Sequence, residues 1–188
     1  PYDEAFYHPV KVIGRYMTKE EAQKEEAKGN YVVEENGGRY RRIVSAPRPK
    51  DIIEIDAINA LVDAGQLVIA CGGGGIPVMA QGASAIIEKD YAAGKLAELT
   101  DADVLMFITA DKQVDIDIDT DHPTLLGSIS VSEAQEYIDQ KKFGEAAMLP
   151  KIQSSIDFVS EKAGREAIIT NLEHAAAAVA GKGGTHSS

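Results

Sequence analysis

Cysteine is nearly absent: Cys71 is the one thiol in 188 residues. No internal disulfide can form, and the composition fits a reducing compartment. Long apolar runs are missing too, since none approaches the roughly 20 residues of a membrane span. The opening Pro1-Tyr2-Asp3-Glu4 has neither a basic stretch nor an apolar one, so no secretory signal is visible. It also lacks an initiator Met, which leads us to expect a chain that begins within a longer protein. Basic residues are in deficit, with 19 Lys and Arg against 30 Asp and Glu and a formal net charge of −11. That balance argues against nucleic acid or an anionic membrane as the main partner. Any phosphate site here must be built from local lysines and backbone N–H groups against an unfavourable overall field.

What is present suits a soluble globular protein. A 44% hydrophobic and 26% charged chain of this length can bury a sizeable core as one domain, or one domain with a small appendage. Residues 1–49 read differently from the rest. Thr18-Lys19-Glu20-Glu21 is a capping box opening a helix that Gly29 ends. Tyr31–Glu34 and Arg39–Val44, joined through Asn36-Gly37-Gly38, read as a β-hairpin. A helix and a polar hairpin hold too little apolar surface for a core of their own. They are expected to protrude from something larger.

Residues 50–188 alternate between helices and short apolar strands. Helices are expected near 53–64, 90–99, 130–140, 150–162 and 172–180. Strands are expected at Leu67–Cys71, 104–109 and 166–170. Such alternation predicts an α/β fold with an open, mostly parallel sheet covered by helices on both faces. The tail 183–188 is expected to fray.

Four consecutive glycines, Gly72 to Gly75, follow the predicted strand at Leu67–Cys71 directly. Glycine reaches positive φ and leaves backbone N–H groups open to a ligand, so the run reads either as an anion nest or as a tight turn. It matches neither a P-loop nor a dinucleotide fingerprint. Cys71 before it reads as a small core residue. Lys89 with Asp90, and Lys151 behind Pro150, place cations at predicted helix starts, where the macrodipole opposes them. An anion between two helix ends would compensate both lysines; alternatively they are solvated surface charges. Asp90 at a helix start also reads as a simple cap. The run Asp115–Asp121 lacks the glycine and glutamate of a calcium loop and reads as an acidic surface loop. The four histidines have no metal spacing, and no metal ligand is assigned. Arg39, Arg41 and Arg42 around Tyr40 read as a solvated strand face.

The segment Ile69-Ala70-Cys71-Gly72-Gly73-Gly74-Gly75-Ile76-Pro77-Val78 resembles the signature of carbamate kinases, within the amino acid kinase superfamily. So do the stretch from Glu54 to Gly65, Lys89-Asp90-Tyr91-Ala92, and Met148-Leu149-Pro150-Lys151. The resemblance runs in order over nearly the whole chain. It implies reversible phosphoryl transfer between ATP and carbamate, giving ADP and carbamoyl phosphate. It also implies Mg²⁺ carried mainly by the nucleotide phosphates, a cytoplasmic homodimer, and a place in arginine catabolism through the deiminase pathway. Lys11 resembles the lysine that the protruding subdomain brings to the reacting phosphate, and Lys89 and Lys151 resemble two further lysines on that group. Asp90 resembles the carboxylate that holds those lysines, and Gly72, Gly73 and Gly74 resemble the substrate-side loop. Thr109, Ala110 and Met148 fall where the family binds nucleotide. The family's opening strand and first glycine-rich loop have no counterpart here, and Ala146-Ala147 stand where Gly-Ser is usual. The alternatives are another acyl-phosphate-forming amino acid kinase, or a non-catalytic anion- or nucleotide-binding regulatory module of the same fold.

Overall fold

The structure, a computed structural model, describes residues 3–35, 37–78, 85–116, 124–143 and 147–188. They group into two compact units. The first unit comprises 1–49 and 73–88, the second 50–72 and 89–188.

The first unit is built on an antiparallel sheet of β1 (Lys11–Met17), β3 (Arg39–Val44) and β2 (Tyr31–Glu35), in the order β1-β3-β2. Helix α1 (Lys19–Ala27) packs on it and starts as its sequence predicts. The Thr18 hydroxyl accepts from the Glu21 N–H, and the Glu21 carboxylate accepts from the Thr18 N–H. The hairpin β2–β3 is present, with Gly37 and Gly38 at positive φ in its turn. Its arginines are more engaged than a solvated strand face would be. Arg39 and Arg41 stack on Tyr16 at 4.2 and 5.3 Å, and Arg42 donates to Asn30 Oδ1. Stacking on one ring lets two like charges sit close together on a short sheet.

The second unit opens with α2 (Ile55–Asp63) and continues through α3 (Lys89–Leu99), β4 (Val104–Thr109), β5 (Val114–Ile116), β6 (Thr124–Leu126) and β7 (Ser128–Ile129). Then come α4 (Val131–Asp139), α5 (Leu149–Glu161), β8 (Glu166–Asn171), α6 (Ala175–Val179) and β9 (Thr185–Ser187). The main sheet has the order β4-β8-β9-β7, with β4–β8 and β7–β9 parallel and β8–β9 antiparallel. Helix α5 packs against β4, β8, β9 and α3, and carries the largest buried side chains, Phe158 and Ile152, into the core. Around them lie Leu105, Phe107, Val114, Ile116, Ile129, Ala167 and Ile169. Ser130 and Glu133 form a second capping box at the start of α4. Among the described residues no helix is long and apolar enough to cross a membrane.

Four expectations need correction. Leu67–Cys71 is not a strand: it joins none of the sheets, and Leu67 and Ile69 are fully exposed. Apolar character marks a segment for burial, but only a hydrogen-bonded neighbour makes it a strand, and no described residue supplies one. Cys71 is accordingly half-buried rather than a core residue, with φ +62°. The tail does not fray. Residues 185–187 form β9, inserted between β8 and β7, with Thr185 and Ser187 buried. Of the acidic run, Asp115 and Ile116 belong to β5, with Ile116 buried; residues 117–121 lie outside the described residues.

His186 holds β9 from both sides of its ring. Nδ1 lies 2.5 Å from Glu166 Oε1 on β8, and Nε2 lies 2.9 Å from the Gly183 carbonyl. Both partners are acceptors, so only the doubly protonated ring satisfies both. Burial works against the charge, but the Glu166 and Gly183 contacts outweigh it and raise the pKa above its ordinary value. A raised histidine pKa adds stability that is full below the unfolded value of about 6.5 and is lost as pH rises through the folded value. Denaturation midpoints should therefore fall on the alkaline side of that window. In Glu166→Gln the fall should shrink, which a pH series of urea melts would check.

Candidate functional site

Two helix starts meet in the second unit. Asp90 lies in the first turn of α3 and Lys151 in the first turn of α5. Only 5% of Asp90 and 7% of Lys151 is exposed. Lys151 Nζ donates to Asp90 Oδ2 at 2.8 Å and to the Ala147 carbonyl at 3.2 Å. The anion that compensates Lys151 is thus a side chain of the protein itself. Asp90 is more than a helix cap, because its carboxylate is spent across the helix pair. An ammonium has three donors, and the described residues take two of them.

Small residues create this geometry. One turn beyond the ion pair, Gly94 of α3 faces Ser154 of α5, and a Cβ on Gly94 would stand 3.1 Å from Ser154 Cβ. The absence of a side chain there lets α3 and α5 approach closely, so that a short Asp reaches a long Lys. Ser155 donates to the Lys151 carbonyl at 2.8 Å and braces the same turn. Lys89 is the first residue of α3 and is exposed. Met148, half-buried, directly precedes α5.

The carboxyl ends of β4 and β8 lie side by side, with Thr109 opposite Asn171. In open α/β sheets ligands bind beyond such ends. Thr109 is half-buried and Ala110 exposed. The loop that follows them is fastened by residues that sequence reasoning missed. Buried Thr170 donates to the Lys112 carbonyl at 3.1 Å, and the Val114 N–H donates to Thr185 Oγ1 at 2.8 Å. Gln113 donates to the carbonyls of Leu126 and Gly184 at 3.3 and 3.4 Å. A threonine inside an apolar strand (Thr170) and one behind a glycine pair (Thr185) were the available signals, but their partners are distant in sequence.

The glycine run takes positive φ at three positions, +47° at Gly72, +136° at Gly74 and +86° at Gly75. No neighbour crowds the Cβ side of Gly72 or Gly73, but the Gly72 N–H already donates to the Ala70 carbonyl at 2.8 Å. Cys71, beside the run, has its thiol pKa pushed up by burial first and by the Glu54 carboxylate second. It is a poor nucleophile at neutral pH.

In the first unit, Lys11 opens β1 and forms an ion pair with Glu88. Among the described residues no group of three or more His, Cys, Asp or Glu side chains could hold a metal.

Removing one partner of the buried pair strands the other. Asp90→Ala is expected to cost about 3–5 kcal/mol, and the double variant Asp90→Ala/Lys151→Met clearly less. Equilibrium denaturation of both variants would check the difference; equal losses would contradict the pairing.

The amino acid kinase family profile matches residues 11–171. The chain is 44% identical to a carbamate kinase-like protein of Escherichia coli, over 97% of this chain and 61% of that protein. It is 43% identical to a carbamate kinase of Clostridium perfringens, over 97% of this chain and 60% of that one. Among solved structures, the carbamate kinase of Giardia lamblia bound to AMP-PNP superposes with a TM-score of 0.89 at 34% identity. That match covers 100% of this chain and 61% of the Giardia chain. The chain therefore spans about three-fifths of the length of these relatives, and it belongs to the amino acid kinase family, with an α/β fold of that class.

Proposed function

We propose that this chain supplies the nucleotide-side part of a carbamate kinase, which transfers a phosphoryl group reversibly between ATP and carbamate. The observation that carries the reading is the buried Lys151–Asp90 pair at two helix starts, in a chain that aligns almost throughout with proteins named carbamate kinase. Phosphoryl transfer needs little covalent chemistry from the protein; it needs positioning and neutralisation of charge on the transferring oxygens. Lys151, whose described partners take two of its three donors, and the exposed Lys89 supply that charge. Asp90 orients Lys151. Gly72, Gly73 and Gly74 are read as the substrate-side loop, whose backbone receives the carbamate or phosphate oxygens. Thr109, Ala110 and Met148 contact the nucleotide, and Lys11 contributes a further cation.

Mg²⁺ enters with the nucleotide's phosphates, which hold it in the main. Residues 1–49 are taken as the protruding subdomain and 50–188 as the nucleotide-binding part of one larger kinase domain. The finer reading places the enzyme in the cytoplasm as a homodimer, working in the ATP-forming direction in arginine catabolism by the deiminase route. It rests on the family resemblance and on the single cysteine.

Lys151→Ala should lower turnover by orders of magnitude, measured as ATP formed from ADP and carbamoyl phosphate. Asp90→Asn/Lys151→Met serves as the folding control, because it removes the charge without stranding a partner. Near-normal turnover in either variant would remove Lys151 from the mechanism. Carbamate, glutamate and N-acetylglutamate offered side by side should give phosphoryl transfer with carbamate alone. Nucleotide binding with no transfer to any of the three would favour a regulatory module instead.

A further inference from the structure

Lys11 is not left free on the first unit. Its ammonium is ion-paired with the carboxylate of Glu88, whose side chain is only 15% exposed. Glu88 is 77 positions away in sequence, and two backbone ties bring it there. Lys11 stands opposite Val44 in the β1–β3 register. The next residue on that strand, Ser45, makes a parallel bridge with Ala85, and the Ile86 N–H donates to the Ser45 carbonyl at 3.0 Å. Residues 85–88 therefore run past the end of β3 where β1 begins. Glu88 is also the residue directly before Lys89 and Asp90.

A surface ion pair usually means little, because two long side chains must be held still in water. Here both backbones are already fixed, and the carboxylate is mostly buried, so it needs a partner. Lysine carries a compact charge on a flexible four-carbon stem. Held only by its backbone, such a charge samples many positions.

We infer that Glu88 is a positioning residue: its carboxylate holds the Lys11 ammonium in one place, so that a phosphoryl oxygen meets a pre-oriented cation. The inference rests on the reading of Lys11 as a cation of the reaction. Pre-orientation acts on the reacting geometry more than on nucleotide affinity, so the effect should fall on kcat rather than KM.

The test is a double-mutant cycle in the 188-residue chain with Lys11→Ala, Glu88→Gln and both together. Glu88→Gln should lower kcat roughly ten-fold with KM for nucleotide little changed. Because Glu88 acts through Lys11, the double variant should be no slower than Lys11→Ala alone. Glu88→Asp keeps the charge but withdraws it by one methylene. It should fold normally with a partial loss of kcat, and it replaces Glu88→Gln if the latter fails to fold.

A readout independent of turnover is acylation of lysines followed by mass spectrometry. Lys11, released from its carboxylate, should react several-fold faster in Glu88→Gln and to a lesser degree in Glu88→Asp, while Lys50 and Lys182 are unchanged. If Lys11→Ala lowers kcat but Glu88→Gln leaves kcat and Lys11 acylation at wild-type levels, the inference fails and the reading of the site stands. Additive losses in the cycle would also overturn it. If Lys11→Ala leaves kcat untouched, the catalytic reading of Lys11 fails and the inference falls with it. In a chain without measurable turnover the acylation arm decides alone: unchanged Lys11 reactivity overturns the inference.

Discussion

The second unit is organised around one electrostatic constraint: a lysine at a helix start, almost wholly buried, must have an anion. Burying an ammonium alone costs far more than a marginally stable domain can spare. Asp90 provides the anion, and it can do so only because α3 and α5 come close enough at Gly94 and Ser154. The packing of these helices over β4 and β8 then follows. Phe158 and Ile152 occupy the core from the same helix that carries Lys151. Helix contact, core filling and site charge are one arrangement.

The same logic of distant partners governs the loop after β4. The loop after β4 is held by Thr170 and Thr185, which belong to strands at the other end of the chain. β9 is held in turn by His186, whose ring bridges Glu166 and Gly183. Short strands with few ladder hydrogen bonds depend on such side-chain contacts. Here they keep the loop beside Thr109 and Ala110 in a defined shape.

Charge explains why these contacts are so specific. A chain with net charge −11 offers an anionic ligand an unfavourable field. In so acidic a chain a lysine can be placed by a carboxylate rather than merely present. Lys151 is placed by Asp90, and Lys11 has a carboxylate of its own in Glu88. Lys89, by contrast, is exposed at the first position of its helix, where the macrodipole opposes it.

Local chemistry is legible in the sequence. Both capping boxes, at Thr18 and Ser130, close over three residues and need nothing else, so their sequence determined them. The hairpin turn at Gly37-Gly38 and the positive φ values in the glycine run follow from the same local rule. The periodicities of α3, α5, β4 and β8 were likewise readable, and with them the fold class. Pairing was not. The apolar run Leu67–Cys71 has the composition of a strand but no described neighbour, while the polar Thr185–Ser187 became a strand because β7 and β8 flank it. The lysines were visible as odd helix starts, yet whether a cation there meets solvent, a ligand or a carboxylate depends on a residue some sixty or more positions away. Backbone preference acts over a few residues and is written in the sequence; strand pairing and ion pairing act across the fold, and only the tertiary structure decided them.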